Sequence, residues 1–215
     1  MKRTLSEAES KRVLAQHGVP VVTERPAGSA DEAVVAADEL GYPVVVKLCG
    51  AAIAHKTERG LVRLGLPDEA SVRAAGAELL GAATDADGPV ELLVAPMVRG
   101  TRELIAGLHT DQQFGRCVMI GLGGILAEAI GDVAFRLVPI ERLDADEMLD
   151  DLAFRALLDG FRGEPAVDRP AIADVLVGLS RLAQSDPSIV AVDVNPLIVV
   201  GGRPVAVDAL VEVEE

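Results

Sequence analysis

Tryptophan is absent from this chain, and one tyrosine and four phenylalanines bring the aromatics to only 2% of 215 residues. A core must therefore be built from Val, Leu, Ile and Ala, which the 50% hydrophobic content supplies in quantity. No apolar run approaches the roughly 18 residues of a membrane span. The opening Met1-Lys2-Arg3-Thr4-Leu5-Ser6-Glu7 has none of the apolar stretch of a secretory leader, so a cytoplasmic chain with no membrane partner is expected. Basic residues are also short, 20 against 34 acidic ones, for a net charge of −14. A nucleic-acid backbone needs a basic face, so no nucleic-acid partner is expected. The two cysteines, Cys49 and Cys117, lack metal-ligand spacing and read as free, partly buried thiols. Repeats, low-complexity tracts and long linkers are missing too, leaving one large domain or two small subdomains.

What is present is alternating helix and strand. Ser6 to Gly18 carries a Ser three residues before Glu9 and a closing glycine, which predicts a helix. Val19 to Val22 predicts a short edge strand, and Ser29 caps a helix with Ala33, Ala36, Ala37 and Leu40 on one face. Strands follow over 41–47, 61–66 (Val62, Leu64 and Leu66 alternating inward) and 90–95, the last two separated by a helix from Asp68 to about Leu80. Further strands are expected at 101–108, 116–120 and 132–139. Helices are expected over 144–158 and from Pro170, the latter with an apolar stripe of Ile172, Val175, Leu176, Leu179 and Leu182. Antiparallel strands with paired helices in two successive groups predict two α+β subdomains, divided near Pro89 or Pro96.

The most informative stretch is the last. Ala191 to Val200, Gly201-Gly202 and Arg203 to Asp208 read as a hairpin with a tight primed turn, since both glycines accept φ > 0. Centred there, facing residues have numbers adding to 403, which sets Asn195 opposite Asp208 and turns Asp193 to the same side. Two readings fit this oxygen-rich patch: a hard divalent cation such as Mg²⁺, or a strand ending in an Asx-type turn at Asn195-Pro196 with Asp208 capping the next element. Lys47, ending a buried strand, is either an anion contact or a snorkelling surface lysine. At Ala95-Pro96 the proline cannot donate to a ladder, which frees backbone groups that adenine could use. Gly121-Leu122-Gly123-Gly124 is glycine-rich but has no following Lys-Ser/Thr, so it reads only as a tight turn with close backbone approach.

Taken in order, several motifs resemble the ATP-grasp domain of ADP-forming acyl-CoA synthetases. They are Gly41-Tyr42-Pro43-Val44-Val45-Val46-Lys47, His55-Lys56, Ala95-Pro96-Met97, Glu103, Gly121-Leu122-Gly123-Gly124, Asp132-Val133-Ala134-Phe135-Arg136, Leu158-Asp159-Gly160-Phe161-Arg162-Gly163 and Asp193-Val194-Asn195-Pro196-Leu197. The resemblance covers about Leu5 to Leu210. It is nearest the β subunits of ADP-forming acetyl-CoA synthetase, with the succinyl-CoA synthetase β subunit more distant. It implies an α+β, ATP-grasp fold whose two subdomains, about 20–95 and 96–215 with the N-terminal helix 5–18, hold ATP or ADP in a cleft between them.

By that resemblance Lys47 contacts the α or β phosphate, and the backbone of Ala95, Pro96, Met97 and Val98 meets adenine. Lys56, Gly60 and Glu103 complete the nucleotide-binding set. Asn195 and Asp208 match the Mg²⁺ ligands, Asp193 lies beside the metal, and Arg136 faces the transferred phosphoryl group. His55 matches the position of a relay histidine in some members, a role an imidazole can fill beside Lys47, Lys56 and Mg²⁺; the other reading is an exposed loop histidine. The implied activity is phosphoryl transfer between a phosphohistidine and ADP, within acid + CoA + ATP = acyl-CoA + ADP + Pi. The phosphohistidine would come from a CoA-binding α subunit in a hetero-oligomer, because no CoA-binding or ligase segment is read in this chain. One departure stands out: Glu58-Arg59-Gly60-Leu61 has a single glycine where relatives show a pair, which would restrict backbone approach to phosphates. It favours the rival reading, a non-catalytic regulatory ATP-grasp module of the type fused to acetyltransferases, whereas the metal hairpin, Lys47, His55 and Arg136 favour the enzyme. A third reading, a carboxylate ligase acting alone, would need an acyl-phosphate acceptor pocket that no motif supplies.

Overall fold

The computed structural model describes residues 2–53, 56–124, 131–160 and 163–214. Its chain begins with β1 (Lys2–Thr4) and α1 (Glu7–Gln16), the helix closing at Gly18 with φ 84°. Two compact units follow from the contacts. The smaller comprises Ser6–Ala8 and Val22–Met97, the larger Met1–Leu5, Glu9–Val21 and Val98–Glu215.

In the smaller unit the described residues form a four-stranded antiparallel sheet, β2 (Arg25–Ala27), β5 (Glu91–Pro96), β3 (Val44–Cys49) and β4 (Val62–Leu66), in that spatial order. Helices α2 (Ala30–Leu40) and α3 (Glu69–Gly81) start where their caps dictate. Ser29 Oγ accepts the Glu32 N–H at 3.2 Å, and Asp68 accepts that of Ser71 at 2.8 Å. Their buried Ala33, Ala37, Val72 and Leu79 join Val44, Val46, Leu48, Leu92 and Val94 in one core. β4 departs from the expected alternation. Gly65 takes φ 67°, the β3–β4 register shifts between Val44 and Val46, and Leu64 is turned outward. The inserted residue reverses the side-chain period beyond it.

In the larger unit the described strands form a seven-stranded sheet in the order β1, β11 (Ala209–Glu214), β9 (Ile189–Val200), β6 (Arg102–Asp111), β7 (Gly115–Leu122), β8 (Val133–Leu137), with β10 (Arg203–Ala206) also on β9. Helices α4 (Arg142–Asp151) and α5 (Arg169–Ser185) cover one face. α5 starts at Asp168, whose carboxylate accepts the Ala171 N–H at 3.0 Å, and the whole expected stripe from Ile172 to Leu182 is buried.

Three expectations are corrected by this architecture. Val19 to Val22 is not a strand, because only a single bridge joins Val21 to Ala206; a segment that short, with a proline that cannot donate, sustains no ladder. The helix expected over 144–158 stops at Asp151 and resumes only as a 3-10 turn, Arg155–Leu158. Between them the Asp132 carboxylate accepts the Ala153 and Phe154 N–H groups at 2.9 and 3.0 Å, which a continuing helix would have used internally. The hairpin does not complete the chain either, since β11 returns along β9 and β1 pairs with β11. No helix among the described residues is long and apolar enough to cross a membrane.

Candidate nucleotide-binding residues

In the smaller unit Lys47 lies inside β3, between Val62 and Leu93 of its neighbours, rather than at the strand's end. Val46 and Leu48 face the helices, so Lys47 points to the opposite face of the sheet. Its side chain is 9% exposed and ion-paired to Glu7 Oε1 at 2.5 Å, while the 6% exposed Lys56 pairs with Glu7 Oε2 at 2.9 Å. The Glu7 side chain itself is 0% exposed. Snorkelling is excluded for Lys47, and the burial of three charges is tolerated because each carboxylate oxygen meets an ammonium. Cys49 Sγ lies 3.7 Å from Glu7 Oε2. Burial first, and then the Glu7 charge, push this thiol well above its ordinary range, so it stays protonated. No sequence motif contains Glu7. A glutamate in the first turn of a helix reads as a response to the helix dipole, and nothing local shows that its partners lie in β3 and the following loop.

The loop after Lys56 closes through Leu61 N–H to Lys56 O at 2.8 Å, and Gly60 takes φ 66°. Arg59 turns away and binds Asp87 with both terminal nitrogens, at 2.6 and 3.0 Å. That fork, with the Thr84 N–H and hydroxyl on the same carboxylate, holds Asp87 well below the usual carboxylate range. His55 lies outside the described residues, as do Phe161 and Arg162 of the later motif. At the expected hinge β5 runs through Pro96, which pairs with Val44, and the Met97 N–H donates to Pro43 O at 2.9 Å. The first backbone donor after the proline is therefore already used. Ala95 is buried, whereas Pro96, Met97 and Val98 are half-buried.

In the larger unit the hairpin register is the expected one. Leu197 faces Ala206 and Val194 faces Ala209, pairs whose numbers add to the same 403, and the Val207 N–H reaches Pro196 O at 3.2 Å. Asn195 therefore lies opposite Asp208. Asp193 and Asn195 are exposed, Asp208 is half-buried, and the Val194 side chain between the first two is fully buried among the helices. Asp193 and Asn195 thus belong to the face away from the helices; beyond them the alternation lapses, since Leu197 and Val199 join the same core as Val192 and Val194 and the β6–β9 register shifts between Leu104 and Ala106. The donors of Asp193, Asn195 and Asp208 are of the kind a hard cation takes. Among the described residues no group of three or more His, Cys, Asp or Glu side chains is gathered in the manner of a protein-only metal cage. The glycine-rich run makes the close approach expected of it: Gly123 N–H donates to Glu103 O at 2.8 Å, and a Cβ there would come within 3.0 Å of the Glu103 carbonyl carbon. This seats Glu103, half-buried, beside Gly124.

Arg136 is not brought to Asp193. Across the sheet Val192, Leu108, Val118 and Arg136 form one row, and Asp193, Gly107, Met119 and Phe135 the next. Adjacent rows point to opposite faces. Val192, Leu108 and Val118 are buried against α4 and α5, and Arg136 on their row binds Asp151 of α4 at 2.6 Å, with Glu147 at 3.8 Å. The residue of that motif sharing a face with Asp193 is Phe135, 49% exposed on the edge strand.

The chain matches the ATP-grasp domain family over residues 1–213. It is 37% identical to the acetate–CoA ligase [ADP-forming] I subunit beta of Pyrococcus furiosus, over 96% of this chain and 90% of that protein. It is likewise 37% identical to the longer acetate–CoA ligase [ADP-forming] I of Archaeoglobus fulgidus, of which it spans 28%. A solved structure of the dinucleotide-forming acetyl-coenzyme A synthetase 1 of Ca. Korarchaeum cryptofilum superposes with a TM-score of 0.84 at 35% identity, covering 99% of this chain and 93% of that one. That structure holds coenzyme A and Mg-AMPPCP, with the phosphohistidine segment pointing towards the nucleotide-binding site. With its register and sheets accounted for and the match running nearly end to end, the chain belongs to the ATP-grasp domain family, in the branch of the ADP-forming acetyl-CoA synthetase β subunits.

Proposed function

We propose that the chain is the nucleotide-binding β subunit of an ADP-forming acyl-CoA synthetase. It transfers a phosphoryl group between a phosphohistidine and ADP, in acid + CoA + ATP = acyl-CoA + ADP + Pi. In the direction of ATP synthesis the N–P bond of the phosphohistidine breaks and a P–O bond to the terminal phosphate oxygen of ADP forms. The phosphohistidine belongs to a CoA-binding α subunit, so activity requires a hetero-oligomer. The reading is supported by near-complete coverage of a relative named as a β subunit and by longer relatives in which a similar domain is one part of a single chain.

The observation that carries it is the two-glycine hairpin, where Asn195 lies opposite Asp208 and Asp193 shares the face of Asn195. In this reading Asn195 and Asp208 hold Mg²⁺ with Asp193 beside it, and the bound ion would neutralise phosphate charge. Lys47 and Lys56 direct their ammonium groups to the phosphates, Gly60 lets the loop backbone approach, the 95–98 segment meets adenine, and His55 serves as a relay. Catalysis is positioning and charge neutralisation. The Arg59 departure gives little support to the regulatory alternative, because its side chain is committed to Asp87 and Gly60 keeps its positive φ.

Calorimetric titration of MgADP into the chain tests this. Asn195→Ala and Asp208→Ala are each expected to abolish Mg-dependent binding. For the exposed Asn195 the change in stability should stay within about 0.5 kcal/mol. Undiminished MgADP affinity in both variants would rule the metal assignment out.

A further inference from the structure

We propose that Glu7 is a positioning residue, whose carboxylate holds the Lys47 and Lys56 ammonium groups charged and fixed for the phosphates of a nucleoside diphosphate. The inference rests on the preceding reading that these lysines meet phosphate, and it adds a residue that none of the motifs contains. Each oxygen of Glu7 takes a different lysine, Oε1 with Lys47 and Oε2 with Lys56, so one planar group sets the separation and direction of both. The anchor is enclosed, since the Glu7 side chain is closed to solvent.

Without a neighbouring anion a buried ammonium is driven towards its neutral form, and a neutral amine is a poor partner for phosphate. A carboxylate already in place keeps the charge on before nucleotide arrives, so binding does not have to supply it. The Cys49 thiol against the same carboxylate is neutral, so it adds no second anion to draw the lysines away. An ion pair kept only for stability could be replaced by apolar residues of similar volume at little cost. A positioning pair cannot, because its product is the geometry of the lysines.

The test is calorimetric titration of MgADP into the full chain carrying Glu7→Gln, Glu7→Asp, Lys47→Met or the double change Glu7→Gln/Lys47→Met. Thermal unfolding is followed on each. Glu7→Gln is expected to raise the Kd for MgADP by about tenfold to a hundredfold, the range seen when the partner that orients a ligating group is lost. Glu7→Asp keeps the charge at a shorter reach and should recover part of that loss. In the double variant the two losses should be markedly less than additive, because without Lys47 there is less for Glu7 to position. A purely structural role predicts shifted unfolding midpoints, additive binding effects and no rescue by Asp.

Unchanged or tighter MgADP binding in Glu7→Gln, with binding weakened in Lys47→Met, overturns this inference and leaves the phosphate reading intact. Undiminished binding in Lys47→Met, or none by the unaltered chain with or without an α subunit, removes the phosphate reading and this inference with it. If Glu7→Gln does not fold, Glu7→Asp alone decides: a several-fold loss is expected, and an unchanged Kd overturns the proposal.

Discussion

Replacing Arg136 by alanine separates what the family motif implies from what the sheet register allows. The motif would have this guanidinium face the transferred phosphoryl group. The register puts it on the row of Val192, Leu108 and Val118, towards α4, where it meets Asp151 at 2.6 Å and Glu147 at 3.8 Å. All three side chains are substantially solvated, at 32%, 53% and 57% exposure, so solvent screens the attraction. Pairs of this kind contribute about 0.2–1 kcal/mol. For a chain of this size each kcal/mol moves the midpoint of thermal unfolding by about 2–4 °C. Arg136→Ala should therefore lower Tm by no more than about 4 °C and leave the Kd for MgADP within about twofold of the unaltered chain. Calorimetry of binding and of unfolding on the same preparation measures both. A loss of MgADP affinity of tenfold or more at an unchanged Tm would refute the row assignment, because it would mean that the side chain reaches the other face of the sheet.

Asp87 provides a pH test. Its folded-state value is depressed by the Arg59 fork and the Thr84 hydrogen bonds, so its contribution to stability is fully present above the unfolded carboxylate value of about 3.9 and drains away as pH falls below it. The urea midpoint of Asp87→Asn should accordingly converge on that of the unaltered chain on acidification; a gap that stayed constant down to pH 2 would contradict the assignment. Leu176 of α5 is fully buried in the larger core, and Leu176→Ala should cost about 2–5 kcal/mol by urea denaturation. A loss under about 1 kcal/mol would mean that α5 does not pack as described.

The features legible in the sequence are those that depend on near neighbours. The cap Ser29 and the expected start at Asp68 begin their helices because a short polar side chain satisfies a backbone N–H three residues on. The stripe from Ile172 to Leu182 is buried because the helical period places it on one side. The position of Asn195 opposite Asp208 follows from the two-glycine turn, which fixes the register of the hairpin over a few adjacent residues.

Tertiary structure alone decided the rest, and in each case the cause lies far away in the chain. Lys47 and Lys56 converge on Glu7, 40 and 49 residues earlier, because the sheet brings β3 against the first turn of α1; no periodicity encodes ion pairs at those separations. Arg136 is committed to α4 because β7 pairs Val118 with it, so a one-residue difference in register would have sent it to the face of Asp193. Gly65 turns Leu64 out of the core because the β3–β4 ladder slips there, which composition cannot reveal. By itself the sequence determined most of the elements, the Ser29 cap and the two-glycine hairpin, since these are set by steric and hydrogen-bonding rules over a few residues. Which charges meet and which face each one serves depended on long-range strand pairing, where a single step of register exchanges the two sides of a sheet.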